Sequence, residues 1–153
     1  MRRDNPLKHF AIAFAIAVLL YVIFYGGIQY RRVRKGPWQV TFTTTLAGDP
    51  QIIINQPALG ITNQSIQFPG EAATANLPET MSFSEPWQVP YPVSFGRCVF
   101  MDTTFLPGTL TFQFFGHEIE LLPRVLIIDH REQPWHADPA IILQRTNRAA
   151  GNQ

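Results

Sequence analysis

The sequence predicts an all-β domain, a β-sandwich or jelly roll of seven to nine short strands, preceded by one N-terminal transmembrane helix. Two observations carry this prediction. Residues 10–30 contain no charged side chain, and basic residues crowd both ends of that run. Twelve of the thirteen prolines follow residue 35, and the segments between them alternate apolar and polar residues, which is the period of a strand. A small barrel is the second choice of fold.

The uncharged run has the length of a membrane span. Its core, Phe10 to Ile28, is 19 residues of mainly Ala, Ile, Leu, Val and Phe. A helix rising about 1.5 Å per residue would cross roughly the 30 Å hydrocarbon layer over that length. We therefore divide the start of the chain into a short basic tail (1–9), a transmembrane helix in contact with the lipid bilayer (10–30) and a basic juxtamembrane linker (31–37).

The run is predicted to be an uncleaved anchor rather than a signal peptide. Signal peptides have a shorter apolar region, about 7–15 residues, followed by small residues at the cleavage site. Here the C-terminal end of the apolar run, residues 24–30, contains no suitable pair of small residues. Tyr21 and Tyr25, together with Tyr30 and Trp38, are typical of an interfacial aromatic belt.

The flanking charges favour one orientation only narrowly. Three Lys or Arg residues precede the helix and four follow it. We expect a cytoplasmic N-terminus and an external domain, because the reverse would carry Arg2, Arg3 and Lys8 across the bilayer. The basic residues at 31–35 suit anionic cytoplasmic lipids, so the opposite topology stays open.

The composition after residue 35 excludes a nucleic-acid binder. This segment has ten acidic residues, five arginines and no lysine, so its formal charge is −5 although the whole chain is +1. Nucleic-acid binding needs a clustered basic surface. The only cysteine, Cys98, lies in an apolar stretch, so we expect a buried, unreactive thiol.

The predicted domain spans residues 38–144 and is followed by a flexible polar tail, 145–153. Strands are expected at 38–43, 51–55, 61–68, 93–101, 108–115, 118–121, 124–129 and 141–143, with one more short strand near 81–83 inside a long loop, 69–92. Pro-Trp occurs three times, at 37–38, 86–87 and 134–135. The residues between these three occurrences do not align, so we interpret them as coincidence, or as repeated use of proline at the start of a Trp-bearing strand, rather than as an internal duplication.

One hairpin is predicted in detail. Gly116 and His117 occupy the place of a two-residue turn, with glycine first as a type II′ turn requires. In that register Phe114 pairs with Ile119, Phe112 pairs with Leu121, and Gln113 meets Glu120 on the solvent face. His117 is then a residue of the hairpin tip.

The densest polar cluster follows the strand at 124–129. Its members His130, Glu132, His136 and Asp138 offer imidazole and carboxylate groups, which bind zinc, manganese or iron. Their spacing matches no standard metal motif, and Pro134 prevents both histidines from projecting from one helix. A turn that joins two strands is naturally rich in Asp and charged residues, and this explanation is favoured, so we predict no metal site, cofactor site or catalytic residue.

The layout of one N-terminal anchor and a small β domain is similar to that of several envelope proteins. These include assembly factors of respiratory complexes, haem-delivery chaperones and a jelly-roll component of lipopolysaccharide transport, whose diagnostic motifs are absent here. The expected function is non-enzymatic binding, scaffolding or assembly at the cell envelope, with a protein partner in or at the membrane. The alternatives are a membrane-bound metal-dependent enzyme using His130, Glu132 and His136, or an accessory subunit of a larger membrane complex.

Overall fold

The computed structural model describes residues 5–73, 76–135 and 140–145. Between Arg34 and Lys35 the chain divides into two compact units. The first contains a helix and the second contains the β-sheets.

The first unit is the helix α1, Pro6–Val33. The Asn5 side chain caps its start by accepting a hydrogen bond from the Leu7 amide at 3.3 Å, and a proline in the first turn costs no helical hydrogen bond. Arg31 and Arg32 lie in the last turn, where the helix dipole favours positive charge. The helix is longer than the predicted span of 10–30, and it is long and apolar enough to cross a membrane.

The second unit is mostly β-structure, as predicted. Its strands are β1 (Gln39–Thr44), β2 (Pro50–Gln56), β3 (Ile61–Gln67), β4 (Glu79–Ser82), β5 (Tyr91–Val93), β6 (Gly96–Asp102), β7 (Thr109–Phe114), β8 (His117–Leu121), β9 (Leu126–Ile128), β10 (Arg131–Gln133) and β11 (Ile141–Ile142). One turn of 3₁₀ helix, Pro57–Leu59, connects β2 to β3.

The strands form two sheets. The first has the order β11-β3-β2-β1-β4, and the second has the order β10-β9-β8-β7-β6-β5. In the second sheet every strand pairs with its neighbour in sequence, all antiparallel. In the first sheet the pairings are antiparallel except that of β11, which is parallel to β3. The predicted β-sandwich is therefore confirmed.

Aromatic rings from both sheets meet in the core. The Phe42 ring of β1 contacts the Phe114 ring of β7 edge-on, with centroids 5.8 Å apart, and Phe83 contacts Phe112 at 5.4 Å. Along β2 the burial alternates residue by residue, as expected for a strand with one face in the core. These inward faces are the apolar positions that the alternation in the sequence predicts.

The β7–β8 hairpin differs from the prediction by a shift of two residues in its pairing. Phe112 pairs with Ile119 and Phe114 pairs with His117. The turn is Phe115-Gly116, and both residues have positive φ angles, 51° and 83°, as in a type I′ turn. A two-residue shift keeps every side chain on its predicted face, but it moves His117 from the hairpin tip into the strand.

Two short strands are additional to the predicted set, and together they raise the described total above nine. The first, β5, lies at the end of the segment predicted to be a loop. The second, β10, follows a two-residue turn, Asp129-His130, where the sequence predicts only a change of direction. Both residues of that turn have positive φ angles, 49° and 65°, and Asp and His are among the residues that tolerate this conformation.

Candidate functional site

The predicted metal-ligand candidates are only partly described by the structure. His130 is the second residue of the turn between β9 and β10, and its side chain is 82 % exposed. Glu132 lies in β10 opposite Ile127. His136 and Asp138 lie outside the described residues. The described residues therefore do not test whether these four candidates come together, and the absence of a metal site stays a prediction.

The structure brings His130 close to two other residues instead. Glu118 and Glu120 lie two residues apart on β8, and their carboxylates and the His130 ring all come within 4.8 Å of one another. The His130 Nδ1 atom lies 3.7 Å from Glu118 Oε1. Spacing along the sequence does not reveal this grouping, because the antiparallel pairing of β8 with β9 is what brings the β9–β10 turn next to Glu118.

This surface group can attract a cation, but its arrangement is also that of an ordinary ion pair. The His130 ring is largely in solvent, where water screens the charges and such pairs contribute little. Carboxylates and an imidazole on a wet sheet face need no bound metal to be stable. We therefore assign no metal centre to it.

A second histidine, His117, forms the best-defined polar cluster in the described residues. It is only 5 % exposed. Its Nδ1 atom lies 2.7 Å from Asp129 Oδ2, and its Nε2 atom lies 3.2 Å from the backbone carbonyl of Gln144. The ring thus connects the start of β8, the β9–β10 turn and the segment that follows β11.

Asp129 is fixed by several contacts at once. Its Oδ1 atom accepts the Glu118 amide at 2.9 Å, and its own amide donates to the Glu118 carbonyl at 2.9 Å. Burial raises the pKa of this carboxyl, but the hydrogen bonds from His117 and the Glu118 amide outweigh burial and hold the pKa below its ordinary value. Asp129 is therefore an ionised partner for the ring of His117.

The His117–Asp129 pair has the geometry of two members of a catalytic triad, but it cannot work as one here. In a triad the second ring nitrogen faces a nucleophile. In this protein that nitrogen faces a backbone carbonyl, and the ring is shielded from solvent. The arrangement holds three segments together, and it is best explained as a structural cluster.

An open groove of about 560 Å³ lies along residues 86–92. The Trp87 ring packs on Tyr91 with centroids 4.6 Å apart and on the buried Phe83 at 5.3 Å. The Trp87 amide also donates to the sulfur of Met101 at 3.4 Å. We call this feature the Trp87 groove; its aromatic rings are partly exposed and are fixed from beneath by the core.

Cys98 is fully buried, as predicted. Burial raises its pKa to about 11, and backbone hydrogen bonds at Phe100 and Thr111 only partly offset this. The thiol itself donates a hydrogen bond to the Phe100 carbonyl at 3.2 Å. Nucleophilic cysteines are thiolates near neutral pH, so Cys98 serves packing.

Comparison of the chain with models of protein families, with curated proteins and with solved structures found no match. Its function is therefore inferred from the residues of this chain alone.

Proposed function

We propose that the protein is a single-pass membrane protein whose β-sandwich is a non-enzymatic binding, scaffolding or assembly module at the cell envelope. The observation that carries the proposal is the pairing of a span-length apolar helix with a β-sandwich that has its own core. No side chain of α1 is buried. An apolar helix of this kind is stable in lipid, because its side chains contact the hydrocarbon chains and its backbone groups are hydrogen-bonded within the helix.

The Trp87 groove is the surface we propose for the protein partner. Tryptophan and tyrosine are enriched at binding hot spots, since they bury a large area with few rotatable bonds. The ring of Trp87 is supported by Phe83 and Tyr91, so little side-chain freedom is lost when a partner covers it. Prolines within the groove lack the amide hydrogen that a sheet edge offers, which favours recognition through side chains.

Site-specific photocrosslinking in native membranes tests this surface. Gln88 is exposed and lines the groove, so a photoreactive residue there should trap a discrete partner. The matched control places the same residue at Thr104, which is exposed in the loop between β6 and β7. Equal crosslinking from both positions, or none from Gln88, would contradict the proposed surface.

The identity of the partner also distinguishes a scaffolding module from an accessory subunit of a larger membrane complex. Co-purification in mild detergent should recover the trapped partner with the protein. Recovery of a single large membrane complex, stable through gel filtration, would favour the accessory-subunit alternative.

The metal-dependent enzyme remains the other alternative. Metal analysis of the purified full chain distinguishes it from a binding module, for which we expect no stoichiometric metal. Stoichiometric metal that disappears in the His130→Ala variant would favour the enzyme.

We further propose that the N-terminus is cytoplasmic and the domain external. The basic tail before α1 supports this, because positively charged flanks are retained in the cytoplasm. The domain is acidic and lysine-free, so few of its charges oppose export. Protease added to intact spheroplasts should digest the domain, whereas protection until lysis would place it in the cytoplasm and remove the envelope role.

A further inference from the structure

We propose that α1 pairs in parallel with the α1 helix of a second copy of this chain, through the side of the helix that carries Tyr21, Tyr25 and Gln29. We call this side the tyrosine face. The inference rests on the proposed membrane span of α1. It holds for either orientation of the chain, because all copies in one membrane share the same orientation.

The hydrogen-bonding side chains of the apolar run are concentrated on the tyrosine face. Its three residues follow one another at intervals of four, so they lie within an arc of about 80°. The rings of Tyr21 and Tyr25 stack with centroids 6.0 Å apart, and the Gln29 amide donates to the Tyr25 hydroxyl at 3.1 Å. The remaining such side chain in residues 10–30 is Tyr30, which lies about 140° around the helix from Tyr25.

Tyr21 lies too deep in the span to be served by interfacial water. It follows Lys8 by thirteen residues and precedes Arg31 by ten. At about 1.5 Å per residue, its backbone is therefore close to the middle of a hydrocarbon layer of roughly 30 Å. Tyr30 can occupy the interface, but Tyr21 is about 13 Å further into the bilayer. Side chains of a helix also lean toward its N-terminus, so the Tyr21 hydroxyl is not directed toward the Arg31 end.

At this depth the Tyr21 hydroxyl needs a partner. The described residues provide no hydrogen bond to it, and the side chain is 69 % exposed on the isolated helix. An unpaired hydroxyl in hydrocarbon is costly, and membrane helices satisfy such groups by hydrogen bonds to neighbouring helices. The Tyr25 hydroxyl accepts from Gln29 and keeps its own proton for donation. The tyrosine face therefore calls for donors and acceptors supplied at the same depth.

A second copy of α1 supplies them. In a parallel pair each residue lies at the same depth as its counterpart in the other copy. A tyrosine hydroxyl both donates and accepts, and so does a glutamine amide, so each of these groups can pair with the identical group of the second helix. Neither lipid chains nor a purely apolar helix of another protein offers this match.

The residues around the two tyrosines have the spacing of a helix–helix seam. Phe14, Val18, Tyr21, Tyr25 and Ile28 are separated alternately by four and three residues, and all five are exposed on α1. This spacing is that of a left-handed pair of helices, the commonest crossing in membranes. Nearly every side of α1 is apolar, so the polar groups are what select this one. The basic residues at 31–35 follow the seam at headgroup level, where anionic lipid reduces repulsion between the copies.

Disulfide crosslinking tests the pair in isolated membranes that contain the expressed full chain. Val18→Cys places a thiol in the seam and should give a covalent dimer on mild oxidation. The matched control is Ile16→Cys, about 160° around the helix, which should give none. Native Cys98 is fully buried, so the unaltered chain provides the background. Equal dimer from both variants, or none from Val18→Cys, would overturn the proposal, and a disulfide to a different protein in its place would overturn the second copy as the occupant.

A second measurement tests the hydrogen bonds. Förster transfer between donor- and acceptor-labelled chains in detergent micelles gives the dissociation constant of the dimer. Tyr21→Phe should raise this constant roughly threefold to fifteenfold, the range for one interhelical hydrogen bond. Tyr30→Phe removes the same hydroxyl from the other side of α1 and should leave the constant unchanged. No change for Tyr21→Phe, or an equal change in both variants, would overturn the tyrosine face.

Extraction of the same membranes with alkaline carbonate distinguishes failure of the pair from failure of the anchor. A chain released by carbonate would overturn the membrane span and the pair together. A chain that stays in the membrane but gives no Val18→Cys dimer would overturn the pair alone and leave the proposed anchored function standing.

Discussion

Gly96 is a position at which the sandwich should not tolerate a single added methyl group. It lies in β6 opposite Phe114, and a Cβ atom placed there would be 1.9 Å from the Gln113 carbonyl oxygen and 3.2 Å from the ring of Phe114. Cβ atoms in proteins essentially never approach a neighbour below 3.0 Å. The backbone of β7 would therefore have to move away by about 1.1 Å at this point, which would stretch a ladder hydrogen bond of typical length, about 2.9 Å, beyond its normal range.

The cost of Gly96→Ala follows from that displacement. Two ladder bonds at roughly 1 kcal/mol each, together with about 1–2 kcal/mol for disturbed packing of the fully buried Phe114, give a loss of roughly 3–4 kcal/mol. Gly48→Ala is the matched control. Gly48 has a φ of +90°, but nothing lies within 4 Å of the position that its Cβ atom would take, so backbone strain alone should cost about 1 kcal/mol.

Guanidinium unfolding of the full chain, followed by tryptophan fluorescence, measures both variants. Trp38, Trp87 and Trp135 all follow α1 in the sequence, and α1 contains none, so the signal reports on the β unit alone. A loss for Gly96→Ala no larger than that for Gly48→Ala would refute the reasoning and the pairing of β6 with β7.

Four further predictions address the cysteine, the contact between His117 and Asp129, the domain and the anchor. Cys98 at pH 8 should react with a thiol reagent on the order of a hundredfold more slowly in the folded chain than in guanidinium, because burial raises its pKa to about 11; equal rates would contradict its burial. Asp129→Asn should lower the free energy of unfolding by about 1–2 kcal/mol at pH 6, discounted for its exposure, and Asp102→Asn, whose carboxylate is mostly solvated, should cost less. Because the folded-state pKa of Asp129 is lowered, its stabilisation is present above the ordinary carboxyl pKa and should vanish as pH falls through the folded value; a loss that persists in strong acid would argue against the ion pair. The segment from Gly36 onward should be soluble and cooperatively folded, and circular dichroism showing mainly helix or coil would exclude an independent sandwich. Intact-mass measurement of the membrane-extracted protein should find the uncleaved N-terminus, whereas a form beginning near residue 29 would identify a signal peptide.

The sequence alone was sufficient for features that depend on local pattern. The uncharged run identified α1, and its true ends lie a few residues outside 10–30 because Asn5 and Pro6 form a cap and the last turn tolerates arginines. Period-two alternation placed the inward residues of strands such as β7 correctly, since the core selects apolar side chains on one face whatever the pairing.

Register was decided by tertiary packing. Glycine first in Gly116-His117 suits a type II′ turn, but the chain turns one residue earlier and places Phe115 at a φ of 51°. This conformation is unfavourable for a bulky residue, and no local rule predicts it. The Phe115 ring packs on Phe68 at 5.1 Å and on Phe95 at 5.7 Å, and these contacts come from segments distant in the sequence.

The same two-residue shift in the pairing of β7 with β8 also determines how the polar cluster around His117 forms. With the turn at Phe115-Gly116, His117 enters β8 facing the core, where it needs partners for both nitrogens. Asp129 and Gln144 provide them from 12 and 27 residues away. Composition and spacing could show that a histidine and an aspartate were present, but only the pairing of β8 with β9 and the return of the C-terminal strand to β3 bring them together, because hydrogen bonds between distant segments leave no period in the sequence.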